Sequence, residues 1–147
     1  MIMSVYSTDL VVLDLQAAEK FDAVQQLAKI VVASGRGTNA TKIATDVMAR
    51  DALGTPQVDG VAIPHARSSG VSVPSVVVAR TAGVVFDPDE DAADVIFMIL
   101  VPDGEGDEHI VILSGLARRL MDPSFTQALR SAQSPQEIVD LLSNGEA

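Results

Sequence analysis

The chain has 147 residues, 48% of them apolar and 3% aromatic, with no tryptophan and no cysteine. That is enough apolar chain to bury a core of aliphatic side chains, and it argues against disorder. The 20 acidic residues outnumber the 10 basic ones and give a net charge of −10, the wrong sign for a general nucleic-acid binder, whose affinity comes from neutralising phosphates.

An acidic surface suits a partner with basic groups instead. Without cysteine there is no disulfide framework, thiolate nucleophile or thiolate metal site. Two histidines alone do not make a structural zinc site, so neither metal nor cofactor is expected. Residues 1–15 lack the basic start and sustained apolar run of a signal peptide. The longest apolar runs, such as 95–101, are too short to span a bilayer. The expected place is the cytoplasm, without membrane insertion.

In chain order, Val24, Leu27, Ala28 and Val31 recur at helical spacing, which predicts a helix over 20–34 stopped by Gly35 and Gly37. A second helix is predicted over 40–53, with Ile43, Val47 and Met48 on its apolar side and Gly54-Thr55-Pro56 at its end. Residues 61–63 read as a short buried strand, after which Pro64 should forbid further central pairing. The β-branched runs 76–82 and 93–101 read as strands, and 83–86 as a further short strand or an edge. Helical periodicity returns over 107–121. Asp122-Pro123 and Ser134-Pro135 each place a capping residue before a helix-initiating proline, and Glu137 completes a capping-box pattern with Ser134. With no repeat or linker, 1–147 reads as one layered α/β domain, its sheet either parallel or mixed.

The chemistry rests on few residues. His65 follows Pro64 at the end of a short apolar strand, where side chains meet loops rather than core. An imidazole is nucleophilic near neutral pH. On position alone, a structural histidine bonded to a loop carbonyl is the commoner outcome. Steps of three and four from His109 reach Leu113, Leu116 and Leu120, so His109 belongs to the buried face of its helix, opposite Arg118. There it either faces a cleft or finds one backbone partner in the core. Asp103, Glu105, Asp107 and Glu108 are best explained as complements to a helix dipole. Arg50 can neutralise the last carbonyls of its helix or fork onto a phosphoryl group. Thr55 is a turn residue or a hydroxyl donor to an oxyanion, and Arg67 is a second cation close to His65. No phosphate-binding glycine loop, dinucleotide fingerprint or serine nucleophile elbow is present.

These residues carry a family resemblance. Gly60-Val61-Ala62-Ile63-Pro64-His65-Ala66 resembles the active-site signature of fructose/mannitol-type IIA domains of the bacterial sugar phosphotransferase system. Arg50-Asp51 with Thr55 resembles the family's Arg-Glu pair and following Thr-Gly, although aspartate stands for glutamate and Pro56 for glycine. His109 with Leu113, Leu116 and Ala117 resembles the second histidine and its helix, and 97–102 the strand leading into it. The likeness spans about residues 10–142. It implies a mixed α/β sandwich in which His65, through Nε2, takes phosphoryl from phospho-HPr and passes it to a cysteine of a IIB domain. His109 and Arg50 would stabilise charge, and Thr55 and Arg67 would be phosphoryl-binding candidates. No metal is implied. Fructose is the sugar expected first, mannitol the next. The nitrogen-regulatory branch, which binds proteins according to its phosphorylation state, is the alternative, and an inactive interaction domain a third.

Overall fold

The computed structural model describes the backbone of residues 4–104 and 108–143, and their side chains apart from those of 108–110. A 3-10 turn, Thr8–Leu10, leads into β1 (Val11–Leu15), followed by α1 (Lys20–Ala33), α2 (Ala40–Asp51), β2 (Gln57–Val58), β3 (Val61–Ala62), β4 (His65–Ser68), β5 (Ser75–Val84), β6 (Ala93–Pro102), α3 (Glu108–Leu120), α4 (Pro123–Ser131) and α5 (Pro135–Ser143).

The helices start and stop where local chemistry demands. After α1, Arg36 N–H donates to the Val31 carbonyl and Gly35 N–H to that of Val32, both at 3.0 Å. Gly35 takes φ 84° between them. This paired closure satisfies the last carbonyls and needs a residue tolerant of positive φ. Asn39 opens α2 by accepting from Lys42 N–H at 3.0 Å, and Asp122 opens α4 by accepting from Ser124 N–H at 3.0 Å. At α5, Ser134 accepts from Glu137 N–H as expected, while the Glu137 carboxylate reaches Gln133 N–H, one residue earlier than a standard capping box.

The sheet is mixed, in the order β1-β5-β6-β3-β2, with β4 also on β6. β1 runs parallel to β5, β5 antiparallel to β6, and β3 and β4 parallel to β6. Residues 75–84 form one strand rather than a strand followed by a separate piece. A bulge between Arg80 and Val84, with Gly83 at φ 144°, lets pairing resume at Val84 with Ala93. Three short strands, β1, β2 and β4, were not expected.

Pro64 does not end the pairing. Val61 faces Val95 and His65 faces Ile99, so the register is the same on both sides of the proline. Proline removes one N–H, but its carbonyl still accepts from Ile99 N–H at 3.0 Å. Residues 61–68 therefore form one interrupted line along β6, broken at Ile63-Pro64.

Side-chain alternation sorts the core into two layers. Ala62, Ala66, Val77, Ala79, Ile96, Met98 and Leu100 pack with α1 and α2. Val61, Ile63, Val76, Val78, Val95, Phe97 and Ile99 pack with α3, α4 and α5. Burying each large aliphatic side chain contributes about 1.5–3 kcal/mol. Among the described residues no helix is long and apolar enough to cross a membrane.

Candidate functional site

His65 opens β4 at the break in the interrupted strand and is 6% exposed. Val61 and Ile63 belong to the α3 side of the sheet and Ala62 and Ala66 to the α1–α2 side. Alternation therefore puts His65 on the α3 side, and Arg67, two residues on and exposed, on the same side. His65 Nδ1 lies 3.0 Å from the Ile63 carbonyl oxygen. A carbonyl can only accept, so in the neutral ring the proton sits on Nδ1 and the lone pair on Nε2. The loop-carbonyl bond of a structural histidine is thus present, and it fixes which ring nitrogen carries the proton.

The end of β4 also anchors the chain entering α3. Ser68, 1% exposed, accepts at its carbonyl from Asp103 N–H at 3.2 Å, and its hydroxyl oxygen accepts from Gly70 N–H at 3.1 Å. α3 then packs over β4 and β6. Leu116 and Leu120 are buried, Leu113 is half-buried and Arg118 is exposed, so the expected helix phase holds along the described part of α3. His109 falls in the first turn of α3, but its side chain lies outside the described residues, as do those of Glu105, Asp107 and Glu108.

Arg50 stands in the last turn of α2, where its Nη1 donates to the Gly54 carbonyl at 2.9 Å. That bond reaches the turn beyond α2 rather than one of the helix's own last carbonyls, and it leaves other guanidinium donors beyond Nη1. Thr55 donates its hydroxyl to Asp51 Oδ1 at 2.5 Å. The other oxygen of Asp51 pairs with Lys20 Nζ at 2.6 Å, and Lys20 also donates to the Phe86 carbonyl at 2.9 Å. The carboxylate is 6% exposed, so both oxygens are taken up inside the fold. The turn that Thr55 occupies continues to Pro56, whose carbonyl accepts from Ile63 N–H at 2.9 Å.

The structure thus brings His65 and Arg67 onto one side of the sheet, beneath the helix that bears His109. Thr55 stands in the turn after α2, one residue before the Pro56 carbonyl that accepts from Ile63 N–H. Sequence reasoning missed Lys20 altogether, and it met Asp51 and Pro56 only within the family resemblance, without a supporting role. The local signal was the four-residue interval from Asp51 to Thr55, which reads as an ordinary helix end.

Residues 4–145 match the family described as the phosphoenolpyruvate-dependent sugar phosphotransferase system, EIIA 2. A fructose-specific EIIA component from Haloferax volcanii is 35% identical over 144 residues, covering 96% of this chain and 94% of that protein. The crystal structure of the nitrogen regulatory protein IIA-Ntr from Neisseria meningitidis superposes with a TM-score of 0.84 at 28% identity, over 94% of this chain and 96% of that one. The mannitol enzyme IIA of Escherichia coli, solved in complex with phosphorylated enzyme IIB, shares the fold with a TM-score of 0.77 at 23% identity, over 94% and 96% of the two chains. The chain also matches multiphosphoryl transfer proteins, of which it spans 16%.

Proposed function

The chain belongs to the EIIA 2 family of the phosphoenolpyruvate-dependent sugar phosphotransferase system, and from that premise we propose that residues 1–147 act as one cytoplasmic phosphocarrier domain with His65 as its acceptor. The observation that carries the reading is the Nδ1 bond of His65 to the Ile63 carbonyl. With that proton held, Nε2 attacks the phosphorus of phospho-HPr. The Nε2–P bond forms, the donor's N–P bond breaks, and its electron pair returns to the donor imidazole. Onward transfer reverses the roles: a IIB thiolate attacks, an S–P bond forms, and His65 leaves as a neutral imidazole.

Such a transfer asks the protein for position and charge stabilisation more than for covalent chemistry. We assign the charge to His109, Arg50 and Arg67, and assign Thr55 to the turn, since its hydroxyl is engaged with Asp51. No metal takes part in this scheme. The net charge of −10 favours HPr and other basic docking surfaces over nucleic acid.

The likeness to a fructose-specific component supports fructose as the sugar ahead of mannitol. The likeness to IIA-Ntr favours a second reading, in which phosphorylation of the same histidine switches protein binding. Transfer from phospho-HPr followed by a panel of IIB domains separates them. Rapid loss of the phosphate to a fructose IIB is the expected result. Acceptance without discharge to any IIB would favour the regulatory reading, and no acceptance would refute both.

A further inference from the structure

His65 depends on a chain of contacts that begins well away from it. Lys20 Nζ holds Asp51 Oδ2 at 2.6 Å, and Asp51 Oδ1 accepts from the Thr55 hydroxyl at 2.5 Å. The next residue, Pro56, accepts from Ile63 N–H at 2.9 Å. Ile63 in turn offers its carbonyl to His65 Nδ1 at 3.0 Å. Ile63 sits at the break in the strand, where its N–H bonds to Pro56 rather than to β6. Its orientation is therefore set by the turn after α2.

We propose that Asp51 and Thr55 are positioning residues for His65: by fixing the turn that carries Pro56, they hold the Ile63 carbonyl where it keeps the imidazole proton on Nδ1. The link to rate rests on the phosphocarrier reading, but the link to the tautomer does not. Buried hydrogen-bonded carboxylates of this kind hold geometry because leaving either partner unsatisfied is costly. Lys20 supplies the counter-charge and ties the turn to the start of α1 and to the Phe86 carbonyl. The device differs from a ligand-binding role for Thr55, because the hydroxyl proton points to Asp51.

The test uses the full chain, 15N-labelled, as wild type, Thr55→Val and Thr55→Ser. Long-range imidazole spectra at about pH 8.5, above the ordinary histidine range, read the neutral tautomer. Wild type and Thr55→Ser should show His65 protonated at Nδ1, and Thr55→Val should shift it toward Nε2. Exchange of the Ile63 amide should accelerate by about tenfold in Thr55→Val, the scale of one lost hydrogen bond, while α1 amides stay as they were. Phosphoryl acceptance should fall by about as much and return in Thr55→Ser. An unchanged tautomer and Ile63 exchange rate in Thr55→Val would overturn the proposal, as would a loss of rate with neither shift. A tautomer shift in a protein whose wild type accepts no phosphoryl would uphold the positioning device and sink the phosphocarrier reading alone.

Discussion

The two sides of the sheet are lined by the same aliphatic residue types, yet one is closed by loop-to-loop hydrogen bonds and the other carries a buried histidine beside a break in the strand line. On the α1–α2 side, loops lock backbone to backbone: Thr38 N–H donates to the Gly70 carbonyl and Ser72 N–H to that of Arg36, both at 2.8 Å. A Cβ on Gly70 would stand 2.7 Å from the Asn39 carbonyl, so the approach requires glycine. The charged group in that corner, Arg36, is 5% exposed; burial lowers its pKa and Asp9 opposes the shift. On the α3 side the strand line is interrupted, and His65 and Arg67 stand beside the break. A strand that keeps its register across a proline gives up a rung of the ladder and gains a place where an imidazole meets a fixed carbonyl. The comparison teaches that His65 stands on one side while its support, through Asp51 and Thr55, comes from the end of α2 on the other, and substitution can separate the two.

The largest effect should come from His65→Gln, which removes the nucleophile and should cut phosphoryl acceptance by at least about a thousandfold with the fold intact by circular dichroism. Retained acceptance would place the chemistry elsewhere. Next, Leu27→Ala on the closed side should cost about 2–5 kcal/mol in urea melts, because Leu27 is fully buried. Its acceptance rate well below the melting transition should match wild type; a large loss of rate there would show that core packing under α1, and not only the Asp51–Thr55 turn, positions His65.

Arg50→Ala should slow acceptance by about tenfold, equivalent to about 1.4 kcal/mol of lost charge-assisted contact. If Arg50 serves only the Gly54 carbonyl, stability will fall slightly and the rate will not change. The smallest effect concerns Asp122, at the start of α4 on the α3 side. Its bonds to the side chain and then the backbone of Ser124 lower its pKa below the ordinary aspartate value. A depressed carboxylate stabilises the fold above the unfolded-state value of about 3.9, and that contribution disappears as pH falls through the lower folded-state value. Asp122→Asn keeps a capping oxygen but cannot titrate. Melts of the two proteins should differ by a constant amount above about pH 5 and converge in acid; parallel curves throughout would contradict the assignment.

The helices were legible from an apolar period in α1, α2 and α3 and from capping signals before α4 and α5. Gly35, Asp122-Pro123 and Ser134-Pro135 stand at or next to observed boundaries. The long strands β5 and β6 were legible as β-branched runs. β2 and β4, at two and four residues, are too short to show a period of two; β2 pairs with β3 across the turn Asp59-Gly60, and β4 pairs with the distant β6. β1 is similarly short and half-buried along most of its length. Of the site, the segment ending Ile63-Pro64-His65 was readable as a motif. The support from Lys20 was not, because it lies about thirty residues from Asp51 in sequence and meets it only after α1 and α2 have packed.

The most direct test of the central claim is to incubate the wild-type protein with phosphoenolpyruvate, enzyme I and HPr, and to map the phosphate by mass spectrometry and 31P–15N correlation. The account predicts an acid-labile phosphate on Nε2 of His65, with Nδ1 still protonated. Phosphate on His109 with His65 unmodified, or on Nδ1 of His65, would contradict it.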